Sequence, residues 1–130
     1  MRPFLAWILL ISPLLLLGAC AEELAPGVME TRHCTTVLNF LNRNLGETTA
    51  DEPRVWEGEG SLNITIPYRV AVTSQRQAQP TMQRDTILCR YALEPQRENM
   101  VVDLVAVRQR GVNLTTEQMR VVNIAMRVFR

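Results

Sequence analysis

The chain predicts an α+β fold in two layers, in the order α-β-β-β-α, with a three-stranded antiparallel sheet carrying both helices on one face. Three observations predict it. Apolar and polar residues alternate strictly from Ser61 to Thr73, helical stripes flank the strand region on both sides, and the chain is long enough for one core only. Of 130 residues, 47% are hydrophobic, but fifteen of these fall in the first twenty positions. What remains has an ordinary globular composition. From Cys20 onward 13 arginines face 13 acids, and there is no lysine. That balance excludes both an autonomous nucleic-acid binder and a mainly charged, disordered chain.

Residues 1–19 read as an export signal: Arg2 as the single early charge, an apolar run from Phe4 to Leu17, then Gly18 and Ala19 before Cys20. Ser12 and Pro13 interrupt a run of fourteen residues, short of the roughly 20 that a spanning helix needs. The junction Leu17-Gly18-Ala19-Cys20 resembles the lipobox of bacterial lipoproteins. That resemblance covers these residues alone, and it implies that Cys20 becomes the first mature residue and carries the lipid. An ordinary signal-peptidase cut after Ala21 is the competing reading. Alanine rather than aspartate after Cys20 resembles the pattern sent to the periplasmic face of the outer membrane. Residues 20–27 then form a lipidated tether and residues 28–130 a single domain.

From Val28 to Leu45, Cys34, Leu38, Leu41 and Leu45 recur as one stripe of an amphipathic helix, with Gly46 as its C-cap. Glu47 to Gly60 is acidic, contains Pro53, Gly58 and Gly60, and reads as a loop with Trp56 on the core edge. Ser61 to Thr73 is a strand with one wet face, on which Arg69 must lie. Pro67 within it asks for an edge position or a bulge. Ser74 to Pro80 reads as a turn, Thr86 to Leu93 as a second alternating strand, Glu94 to Asn99 as a loop. Met100 to Arg108 is apolar on both faces except for Asp103, which suits a central strand and a salt bridge to Arg90. Thr115 and Gln118 stand at capping-box spacing, with Leu114 and Met119 as a hydrophobic staple, so a helix starts at Thr116.

With Cys20 lipidated, Cys34 and Cys89 remain as an even pair in an exported chain, and a disulfide between helix and second strand is expected. Two distant cysteines and one histidine make no zinc site, so neither metal nor cofactor is expected. His33 beside Cys34 points about 100° away from it on a helix, which excludes a Cys–His dyad and leaves His33 a solvated helix residue. No catalytic residue is assigned. Charge is uneven: the segment from Cys20 to Gly60 has three arginines and eight acids, and the rest has ten arginines and five acids. The acidic half either neutralises the basic half, or Arg69, Arg84, Arg90, Arg108 and Arg110 gather around the sheet to hold an anionic partner, with Arg69 and Arg90 the leading candidates. The function expected is a membrane-anchored envelope lipoprotein acting as a non-catalytic binding or assembly factor. Its partners would be the membrane, through the lipid on Cys20, and an envelope protein or anionic cell-wall or lipid surface. The alternative is an inhibitor of a cell-wall hydrolase, or a small hydrolase with carboxylates not yet placed. Replacing Cys20 by Ala should leave an unprocessed precursor that takes up no radioactive fatty acid; labelling that persists would overturn the lipobox reading.

Overall fold

The computed structural model describes residues 27–74, 76, 78–93 and 102–128. The leader, the tether with Cys20 and the loop expected at Glu94 to Asn99 lie outside the described residues. The fold is α+β: a helix α1 (Val28–Asn42), six strands β1 (Gly46–Ala50), β2 (Arg54–Gly58), β3 (Ser61–Val72), β4 (Thr81–Ala92), β5 (Leu104–Gln109) and β6 (Val112–Asn113), and a helix α2 (Thr116–Val128). The strands make one open antiparallel sheet in the order β1-β3-β4-β5-β6, with β2 also paired to β3. The sheet thus has six strands where three were expected, and the order α-β-β-β-α is corrected by β1, β2 and β6. The reason is physical. Both faces of β2 and β6 are almost wholly exposed, so no apolar alternation marks them, and β4 extends from Thr81 to Asp85 through residues with the same property.

β3 is the axis of the sheet. Leu62, Ile64, Ile66, Tyr68 and Val70 point to one face and are buried there with Ile87, Cys89 and Tyr91 of β4, Leu104 and Val107 of β5, Cys34, Val37 and Leu38 of α1, and Val122 and Met126 of α2. Both helices therefore cover the same face. β1 pairs with residues 68–72 of β3 and β2 with residues 61–65, as one edge strand broken at 51–53. Between Ala50↔Tyr68 and Arg54↔Thr65 the edge advances four residues against three on β3, a bulge. It lies opposite Pro67, whose carbonyl accepts from the Asp51 amide at 2.8 Å. In an antiparallel ladder a residue's N–H and C=O point to the same neighbour, so the donor that Pro67 lacks falls on the broken side. The bulge is how a proline fits a strand paired on both sides.

Two turns close hairpins that polar sequence concealed. Glu59 and Gly60 between β2 and β3, and Arg110 and Gly111 between β5 and β6, all have positive φ, the type I′ geometry that matches strand twist. α1 ends at Asn42 rather than Leu45, and Gly46 opens β1 instead of capping the helix. A Cβ on Gly46, at φ 151°, would stand 1.8 Å from the Ala71 carbonyl oxygen. Only glycine permits that approach. α2 begins as its sequence dictates: Gln118 N–H donates to Thr115 Oγ1 at 3.2 Å, Thr115 N–H donates to Gln118 Oε1 at 2.8 Å, and Leu114 and Met119 are each partly buried against the core.

The Sγ atoms of Cys34 and Cys89 are bonded, with their Cα atoms 5.9 Å apart, and both residues are fully buried. The bond ties α1 to β4. Non-reducing mass spectrometry should find Cys34 linked to Cys89, and two free thiols would contradict the structure. A loop of 55 residues closed in this way contributes about 4 kcal/mol in the chain-entropy picture. Reduction should lower the Tm by at least several degrees, because about 1 kcal/mol already moves a domain of this size by roughly 4–8 °C. In urea unfolding, Gly46→Ala should cost at least about 2 kcal/mol, since strained φ and main-chain collision combine. Gly60→Ala, where no atom lies within 4 Å of the added Cβ, should cost about 1 kcal/mol. Equal losses would show that the Ala71 approach is not what holds glycine at position 46.

Candidate functional site

The face of the sheet away from the helices is the second surface that β3 creates. Residues paired across strands share a face, so the register places Arg54, Arg69, Arg84, Arg90 and Arg108 on this side. Arg54, Arg84 and Arg108 are exposed, Arg69 and Arg90 half-buried. The chain supplies them from four strands: β2, β3, β4 and β5. Arg110, expected with them, sits instead on the β5–β6 turn.

The two leading candidates are on one face but not in one cluster. Arg90 pairs across from Asn63, whereas Arg69 is six residues further along β3, about 20 Å at the rise of a strand. Arg69 stands directly opposite Arg84, an arrangement of like charges that costs stability. Asp51 relieves it from the bulge, its Oδ1 3.3 Å from Arg69 Nη2. Among the described residues no other carboxylate on this face forms an ion pair with these arginines. Most of the acids of the first half lie instead along the β1–β2 edge: Glu47, Asp51, Glu52, Glu57 and Glu59.

At the other end of the face the surface is partly closed. Asn63 is buried although it falls on the side expected to be wet. Its Oδ1 accepts from Arg90 Nε at 3.3 Å, and its Nδ2 donates to the carbonyls of Ser61 and Trp56 at 3.4 and 3.5 Å. Arg90 therefore bonds Asn63, not Asp103. Asp103 precedes β5, is exposed, and its carbonyl accepts from the Ala92 amide; the residue paired with Arg90 is Ala106, three positions further along. Trp56, which the sequence placed on a loop at the core edge, lies on β2 on this open face. Its indole extends over Gly58, where a Cβ would come within 2.9 Å of the ring, and its Nε1 reaches Thr65 Oγ1 at 3.4 Å. The indole therefore leans along the sheet between Gly58 and Thr65, and Trp56 remains 47% exposed.

On the helix side, His33 is not merely solvated. Its Nδ1 is 2.8 Å from the Tyr91 hydroxyl, with which it shares a hydrogen bond, and the two rings meet edge to face. Burial, with the nearby Glu30 charge adding to it, pushes the Tyr91 hydroxyl far above its ordinary pKa, so it stays protonated. This contact fixes the start of α1 on β4. His33, Asp103, Asn123 and Arg127 border a small depression beside Val102, Leu104 and Met126. Among the described residues no three His, Cys, Asp or Glu side chains converge as metal ligands would. A further polar tie crosses the layers: Gln109 Nε2 donates to Asn42 Oδ1 and to the Tyr68 hydroxyl, both at 2.9 Å. Neither tie was visible in the sequence, because each joins residues more than 40 positions apart.

The arrangement can do one thing well: present guanidinium groups on a rigid, broad surface. Each guanidinium can grip a phosphate or carboxylate with two parallel hydrogen bonds. No protein-family model, curated protein or solved structure matches this chain.

Proposed function

We propose that the chain is a membrane-anchored envelope lipoprotein whose domain acts as a non-catalytic binding or assembly factor, with the open sheet face as its contact surface for an anionic partner. One observation carries the reading: five arginines from four strands share a face on which Asp51 is the only ion-pair partner among the described residues. A purely structural sheet face has no need of directly opposed arginines, which weaken it. Their chemistry suits phosphate or carboxylate groups of cell-wall polymer or lipid. The lipid on Cys20 keeps the domain at the membrane, and the resemblance of Ala21 to the outer-membrane pattern supports the periplasmic face of the outer membrane.

The test is the double substitution Arg69→Gln and Arg90→Gln. Its cost to stability should stay within about 1 kcal/mol, as for exposed ion pairs, and a glutamine at position 90 still offers Asn63 a donor. Retention of the protein on isolated cell wall, or on vesicles rich in phosphatidylglycerol, should fall at low salt. The difference should vanish near 1 M salt, where the screening length shrinks to about 3 Å. The two supports separate a wall polymer from a lipid headgroup. Equal retention of wild type and double variant on both at low salt would mean that the arginines merely balance the acidic edge.

A further inference from the structure

One end of the domain carries a surface that the arginine face does not account for. The described chain starts there, at Gly27, which is buried against β2: a Cβ on it would come within 2.8 Å of Val55 Cγ1. The β2–β3 turn lies at the same end, and Leu93 N–H donates to the Gly60 carbonyl at 3.4 Å. β5 enters there, with Leu104 opposite Tyr91. α2 finishes there, because Met126 and Arg127 border the same depression as Val102 and Leu104.

This end gathers exposed apolar side chains. Val55, Trp56, Leu93, Val105 and Val128 are between 43% and 74% exposed. The other exposed large apolar side chains among the described residues are spread out: Met82 near the β3–β4 connection, Val112 in β6, and Val121 and Ile124 along α2. Scattered surface hydrophobics are ordinary; their collection around the point where the chain enters is not. Cys20 precedes Gly27 by seven residues, and covalent geometry limits that stretch to about 25 Å. A lipid on Cys20 therefore holds this end, rather than the far one, next to the bilayer. Tryptophan is a side chain that settles at the headgroup level. Trp56 is 47% exposed, with Arg54 two residues away on the same face and Arg90 bonded to the shared neighbour Asn63.

We propose that this end, built from Val55, Trp56, Leu93, Val105 and Val128, docks on the bilayer that holds the lipid of Cys20, with Trp56 in the headgroup layer. The inference rests on the lipid-anchor reading and does not depend on Arg69 or Arg84. Docking sets the orientation of the domain: the β3–β4 connection points away from the membrane, and Arg69 and Arg84 stand distal to it.

Removal of the leader takes Trp7 with it, so Trp56 is the single tryptophan of the mature protein and reports on its own position. The experiment uses the full lipidated protein, purified from membranes and reconstituted into phosphatidylethanolamine–phosphatidylglycerol vesicles, some carrying phospholipid brominated near the headgroup end of the acyl chain. The expected result is a blue shift of Trp56 emission relative to detergent, quenching by the brominated lipid and protection from aqueous iodide. In the Leu93→Asp, Val105→Asp double variant the protein should still float with the vesicles, while bromine quenching is lost and iodide quenching returns. Wild-type protein that floats yet shows no bromine quenching overturns the docking and leaves the anchor standing. Protein that stays in the aqueous phase overturns both. Shielding of Trp56 that rises with protein concentration in detergent, without bromine quenching in vesicles, reassigns the patch to a second copy of the chain and overturns the bilayer as occupant.

Discussion

Five apolar side chains on one face of β3, from Leu62 to Val70 at every second position, must leave water together, and a strand offers only one side on which to put them. Everything on the helix side follows from covering that row. α1 lays Cys34, Val37 and Leu38 on it, α2 lays Val122 and Met126 beside them, and β4 and β5 continue the row laterally. Chain order makes this cover hard to assemble, since the two helices come from opposite ends of the domain. The cross-layer ties answer that difficulty. A disulfide joins α1 to β4, the His33–Tyr91 pair holds the first turns of α1, and Gln109 bonds both Asn42 at the end of α1 and Tyr68 on β3.

The opposite face inherits what the row leaves over. Strand geometry sends Asn63, Thr65, Pro67, Arg69 and Ala71 there, and the register adds one arginine from β2, two from β4 and one from β5. The two ends of this face are built differently. Near the β2–β3 turn, Trp56 and Arg90 close over Asn63 and satisfy it. Towards the β3–β4 connection, Arg69 and Arg84 oppose each other with Asp51 as their sole carboxylate among the described residues. The edge is managed as well: β1 and β2 share one position along β3 because Pro67 cannot donate to a continuous neighbour, and the acids on that edge discourage further strand pairing.

Legibility followed burial. β3 could be read residue by residue because one face is dry and the other polar, and the start of α2 because a capping box and a staple are local devices with fixed spacing. The cysteine pairing was accessible by arithmetic once one cysteine was set aside. β1, β2, β6 and the first half of β4 were not accessible, because residues such as Thr49, Arg54, Gln83 and Val112 are exposed on whichever face they fall. Propensity and pairing hold them, not periodicity. Their surviving signals were the Glu59-Gly60 and Arg110-Gly111 turns, dipeptides weaker as hairpin marks than Asn-Gly. Trp56 went astray with its strand, since a side chain has no face until its strand is recognised.

By itself, then, the sequence determined the α+β class, the dry face of β3, the start of α2 and the presence of arginines among the strands, because each depends on spacing within one segment. Tertiary structure decided the number of strands, the end of α1 at Asn42, the partner of His33 and which arginines share a neighbourhood. Those depend on register between segments, and register is set by the fit of whole surfaces: a bulge opposite a proline, a glycine against the Ala71 carbonyl, a buried asparagine that takes Arg90 as its donor. A one-residue slip in any of these pairings would leave the composition and every local pattern unchanged, yet would turn the arginines of that strand to the other side of the sheet.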